Sequence, residues 1–315
     1  MDTAVSIVCN AYNHEKYIRD ALEGFVMQKT NFKFEVLVHD DASTDKTADI
    51  IREYEKKYPD LIKPIYQTEN QYQKGTGAVG KLQIARTTGK YIAYCEGDDY
   101  WTDPLKLQKQ YDALEAHPEV DICAHCGMRI NAETRECINY IKPSDKDCIL
   151  AVEQVILGGG GYVVTNSLMY RREIIFNEPE FRKFMKLDYT LQMYGSLRGG
   201  MLYLSDCMSV YRVMTKDSWT SRTYSNPERF KKHTEKLEEM FALFNKDTNH
   251  KYSDVVKKQI DAQRFDYLYS IGDYKKAKTY REFYGELPLT DRIRVNIRMY
   301  LPWIPYLKKK LTNKK

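Results

Sequence analysis

Two carboxylate clusters stand out in the first third of the chain, Asp40-Asp41-Ala42-Ser43-Thr44-Asp45 and Glu96-Gly97-Asp98-Asp99. Carboxylate oxygens are hard donors, so the second cluster suits Mg²⁺ or Mn²⁺ with phosphate oxygens completing the shell. Such an ion neutralises a departing diphosphate. In the first cluster, one carboxylate could accept from a ribose hydroxyl or a base N–H. Each cluster also has a plain reading, as an Asx/ST turn capping the next helix or as a strand end finishing on solvent. Asp188, in Lys186-Leu187-Asp188-Tyr189-Thr190, could take the proton from an attacking hydroxyl or could cap a helix. Arg212, after Tyr211, offers directed donors that suit either a phosphate or a structural carboxylate.

The elements that must position these groups alternate. Apolar runs at 5–9, 34–39, 61–67 and 91–95 read as strands, and 21–28, 47–58, 78–87 and 104–116 read as helices. Strand and helix in regular alternation predict an α/β fold with a mainly parallel sheet flanked by helices. In such sheets ligands sit beyond the carboxyl ends of the strands, where both acidic clusters fall. Residues 127–136 read as a hairpin or an irregular excursion, and 228–244 and 255–269 as helices of a C-terminal annex. The boundary is expected near residue 221, giving a catalytic domain of 1–221 and an annex with a basic aromatic tail at 222–315.

With 315 residues, 43% of them hydrophobic and 30% charged, the chain can build a substantial core and is not disordered throughout. A net charge of +5, from 49 basic and 44 acidic residues, does not call for a nucleic-acid partner. Seven cysteines cannot all pair internally, and the Cys123/Cys126 pair lacks a compact second pair for a thiolate metal site. Gly158–Gly161 is neither a P-loop nor a dinucleotide fingerprint. No run approaches the ~20 apolar residues of a membrane span, and no targeting segment opens the sequence, so cytoplasmic residence is the expectation. The tail sets Arg292, Arg294 and Arg298 among apolar residues before Leu301-Pro302-Trp303-Ile304-Pro305-Tyr306-Leu307 and a lysine-rich end. That pattern suits peripheral contact with the inner, anionic face of a membrane, with packing inside the protein as the alternative.

Taken in order, VSIVCNAYNHEKYIRDAL, EVLVHDDASTDKT and GKYIAYCEGDDYW resemble glycosyltransferase family 2 with its GT-A fold. The resemblance is strongest over 5–101 and extends more weakly through Asp188 and Tyr211-Arg212. It implies a nucleotide-diphosphate sugar donor, Mn²⁺ or Mg²⁺, and transfer with inversion to a carbohydrate or glycoconjugate acceptor, with surface polysaccharide synthesis as a reasonable setting. It places Ala11 and Tyr12 against the nucleotide, Asp41 at the base, Asp98 at the ribose and metal, Asp99 on the metal, Asp188 as base and Arg212 toward the diphosphate. EGDD departs from the more familiar DxDD, and Met214 stands where many relatives carry His. Two other readings remain: an inactive nucleotide-sugar-binding regulatory or assembly protein, and a nucleotidyltransferase.

Overall fold

The computed structural model describes residues 2–75, 77–213 and 219–300, with backbone alone at 219–221. The chain divides into two compact units, residues 1–215 and 216–315, slightly before the expected boundary.

In the first unit, ten strands make one sheet: β1 (Thr3–Ala11), β2 (Lys33–Asp40), β3 (Ile62–Tyr66), β4 (Tyr91–Tyr94), β5 (Tyr100–Trp101), β6 (Ile122–Asn131), β7 (Cys137–Ile141), β8 (Cys148–Leu150), β9 (Met169–Arg171) and β10 (Met201–Val213). Their spatial order is β3-β2-β1-β4-β9-β6-β10-β5, with β7 on β6 and β8 on β10. Helices α1 (Ile18–Val26), α2 (Thr47–Lys57) and α3 (Ala78–Arg86) carry the chain between the first four strands, which run parallel. β10 also runs parallel to β6, whereas β5, β7, β8 and β9 join antiparallel. Parallel pairing therefore dominates the half built by strand–helix alternation, and the short strands elsewhere make the whole sheet mixed.

Register puts the site's supports on one rim. Ala11 pairs with Asp40, and Val8 pairs with Tyr94, so β1, β2 and β4 end side by side. Helix α1 packs by its pattern: Ile18, Ala21, Leu22 and Phe25, at i, i+3, i+4 and i+7, are all buried. Phe25 meets Trp101 edge to face at 5.0 Å. Burying such a side chain contributes about 2 kcal/mol. Helices α4 (Lys106–Ala116), α5 (Val152–Gly158), α6 (Glu180–Phe184) and α7 (Asp188–Ser196) complete this unit. Gly158 closes α5, and Gly159–Gly161 form one 3-10 turn.

The second unit is helical: α8 (Trp219–Tyr224), α9 (Pro227–Asp247), α10 (Ser253–Ser270), α11 (Tyr274–Ala277), α12 (Arg281–Glu286) and α13 (Leu289–Tyr300). The Asn226 side chain caps α9 by accepting from the Arg229 N–H at 3.0 Å, and Pro227 occupies the first turn, where a missing N–H costs nothing. Phe230, Leu237, Phe241 and Phe244 then recur on one buried stripe. No helix among the described residues is long and apolar enough to cross a membrane. Met214 and the 301–315 tail lie outside the described residues.

Candidate active site

The first acidic cluster is tied down at Asp41 and Asp45. Asn13, in the left-handed region with φ 55°, donates its N–H to Ser43 Oγ at 3.0 Å and accepts from the Thr44 N–H at 2.8 Å. Asp45 accepts from the Glu15 N–H at 3.0 Å and from the Thr47 N–H and hydroxyl at 2.9 and 2.5 Å. Burial works to raise the Asp45 carboxyl, but the Thr47 and Glu15 bonds outweigh it and hold the group below its ordinary range. Asp41 is 4% exposed, and its two oxygens accept from the Gln71 N–H at 2.8 Å and the Tyr72 N–H at 2.9 Å. Its own N–H donates to the Ala11 carbonyl at 2.9 Å. Asp41 thus joins the end of β1 to the 70–72 segment, while Ala11 is buried and Tyr12 exposed beside it.

The second cluster carries charge in excess. Its turn is seated on β1 by Cys95 N–H to Val8 O at 3.1 Å and Gly97 N–H to Asn10 O at 2.9 Å. Glycine is needed at 97 because a Cβ there would come within 3.0 Å of both His14 and Ile18 and within 3.1 Å of Ala11. Asp99 is 2% exposed, and its Oδ1 accepts from the Arg212 N–H at 2.8 Å. Burial, then the neighbouring Asp98, push the Asp99 carboxyl well above its ordinary range. Glu96 is pushed to about 7, first by burial and then by Asp98 and Asp188, against the opposing hydroxyl of Tyr94. Tyr94 in turn accepts from the Asn10 amide at 2.9 Å.

Asp188 opens α7, one position after the cap residue Leu187. Its carboxylate accepts from the Thr165 hydroxyl and, at 2.8 Å, from the Tyr189 N–H, and it remains half-exposed. Tyr211 responds to acids from distant parts of the chain. Its hydroxyl is held above the ordinary range first by burial and then by Asp99, Asp98 and Asp188 together.

Arg212 has a carboxylate partner, one of its two expected environments. Its side chain is 1% exposed, pairs with Asp20, donates to the Asp98 carbonyl at 2.6 Å and lies against the rings of Tyr100 and Tyr17, at 4.4 and 5.1 Å. A direct diphosphate contact would require this guanidinium to leave its enclosure. Asp20 lies in the first of the three segments that carry the resemblance, but 192 positions separate it from Arg212 and no role marked it. Tyr94 was findable, since it stands two residues before Glu96 on a strand and shares its face.

Asp98 and Asp99 fit a hard divalent ion in donor type, and a bound cation would favour the ionised form that burial and like charge disfavour at Asp99. Among the described residues no group of three or more His, Cys, Asp or Glu could hold an ion unaided. Phosphate oxygens and water would have to complete its shell. All seven cysteines are free.

A family model, Glycosyl transferase family 2, matches residues 6–214. The chain belongs to that family. An uncharacterised protein of Mycobacterium tuberculosis is 38% identical over 226 residues, covering 72% of this chain and 63% of its own length. The chain therefore spans under two thirds of that relative. A putative teichuronic acid biosynthesis glycosyltransferase of Bacillus subtilis is 33% identical over 110 residues, 35% of this chain and 41% of that one. Among solved structures, a Pyrobaculum calidifontis mannosyltransferase in complex with GDP-Man and Mn²⁺ superposes with a TM-score of 0.59 at 16% identity, covering 97% of this chain and 83% of that one. At that identity it shows the shared GT-A fold.

Proposed function

We propose that this glycosyltransferase is an inverting, metal-dependent enzyme that moves a sugar from a nucleotide diphosphate to an acceptor hydroxyl. What supports this reading is that Asp99 accepts from the Arg212 N–H at 2.8 Å, next to Tyr211, whose hydroxyl Asp99, Asp98 and Asp188 all act to raise. In the proposed site, Ala11, Tyr12 and Asp41 border the nucleotide, Asp98 the ribose, and Asp98 with Asp99 would hold Mn²⁺ or Mg²⁺. Charge compensation for the departing diphosphate is what the bound ion supplies.

Asp188 accepts the acceptor-hydroxyl proton as that oxygen bonds to the anomeric carbon and the carbon–phosphate-oxygen bond breaks. Thr165 and the Tyr189 N–H aim its carboxylate. Substituting Asp188→Asn should lower transfer by about 100- to 10,000-fold with donor binding kept. Product formation is the measurement, and parent-rate transfer by the folded variant removes Asp188 as the base. Calorimetry with UDP-, dTDP- and GDP-sugars, with Mn²⁺ and again with chelator, identifies the donor. Metal-dependent binding without product would instead indicate a regulatory binding protein.

The putative teichuronic acid relative favours surface polysaccharide or glycoconjugate synthesis as the setting. Leu289, Ile293 and Tyr300 of α13 are exposed, and the basic tail follows them, which supports peripheral contact with an anionic membrane. Anionic-liposome pelleting should fall on truncation before Arg292. Equal pelleting of the two chains excludes the tail as the anchor.

A further inference from the structure

We infer that Arg212 is a positioning residue, which holds the Asp98-Asp99 turn in shape from behind. The inference rests on the reading of that turn as the donor and metal site. One residue reaches the turn twice: its backbone N–H holds Asp99 Oδ1 at 2.8 Å, and its Nη1 holds the Asp98 carbonyl at 2.6 Å. The same guanidinium pairs with Asp20 on α1, so α1, β10 and the turn are locked through one planar group. Tyr17 and Tyr100 lie against that group, and Tyr100 directly follows Asp99.

Arginine suits this enclosure, because its planar fork reaches Asp20 and the Asp98 carbonyl from separate nitrogens while it lies against the two rings. A lysine keeps the charge but presents a single point donor without that flat face. Asp20 itself stands at the edge, 35% exposed at its side chain, and also pairs with the exposed Arg135 at 2.8 Å. The clamp therefore has a buried arm toward the turn and a solvent-facing arm away from it. Residues that orient metal-binding groups from one layer out typically change metal affinity by about 10- to 100-fold when altered.

The test compares the parent full chain with Arg212→Lys, Asp20→Asn and Arg135→Ala. Amide hydrogen exchange across residues 96–101 is first read in metal-free protein. Mn²⁺ is then titrated at fixed UDP- or GDP-sugar. Arg212→Lys and Asp20→Asn should both speed exchange at the turn and raise the Mn²⁺ needed for half-maximal donor binding by about 10- to 100-fold. Saturating Mn²⁺ should restore donor binding, and Arg135→Ala should match the parent in both readings.

Unchanged exchange and unchanged Mn²⁺ requirement in both clamp variants overturn the inference. Unchanged exchange with donor binding that saturating Mn²⁺ does not restore also overturns it, and makes Arg212 a direct diphosphate ligand. If Arg212→Lys does not fold, Asp20→Asn carries the test alone. Exchange that quickens at the turn while the parent binds no nucleotide sugar keeps the positioning role and fails the donor-site reading.

Discussion

The two acidic turns follow β2 and β4, the strands on either side of β1, and use the same chemistry to opposite effect. Around Asp41 and Asp45, backbone N–H groups meet the carboxylates and the turn is closed. Around Glu96, Asp98 and Asp99, burial and like charge push Glu96 and Asp99 toward their protonated forms, and the Arg212 N–H and guanidinium only partly oppose this at Asp99. A carboxylate supplied with amides stabilises the local fold, whereas crowded carboxylates lacking a cation hold an electrostatic deficit that a ligand can relieve. The contrast separates scaffold from reagent more sharply than residue type does.

The largest expected effect comes from replacing both Asp98 and Asp99 with Asn. Transfer should fall by about 100- to 1,000-fold and the Mn²⁺ requirement for donor binding should disappear, while metal-free thermal stability holds or rises because buried repulsion is removed. A variant melting well below the metal-free parent would break the contrast. Next comes Asp41→Asn, which retains one oxygen acceptor for the Gln71 and Tyr72 amides and should weaken donor binding about tenfold, read by calorimetry. Unaltered affinity would leave Asp41 with a structural task alone.

The smallest effect belongs to Asp45→Ala, which loses three donated hydrogen bonds and should cost about 1–2 kcal/mol in denaturant unfolding, with donor binding largely kept. Its pH signature has a definite sign. Because the folded-state value is depressed, the Asp45 contribution is present above the ordinary carboxylate value and is lost as pH falls through the folded one. Acid titration of stability should therefore be shallower below the ordinary carboxylate range in the variant. An identical acid slope would mean that those bonds do not bind the carboxylate more tightly in the fold than in the unfolded chain.

Much of this arrangement was legible before any coordinates. Alternating apolar runs placed β1, β2 and β4 with α1 and α2, because periodicity is a local property written into neighbouring residues. Short strands such as β5 and β9 were not legible: two or three residues carry no period, and they become strands only where β10 and β4 offer partners. The same limit applied at Asp188, whose Thr165 partner lies 23 positions away in the chain.

The chain's local order determined which residues end at the strand rim, since strand length and the polar turns that follow are encoded within a few positions. Tertiary structure alone decided what each acid faces. Asp41 meets amides thirty positions away, Asp99 meets the Arg212 N–H across 113 positions, and Arg212 is enclosed by Asp20 across 192. Burial and the sign of the nearest charge set the chemistry of a carboxylate, and both are properties of the packed chain, absent from the linear one.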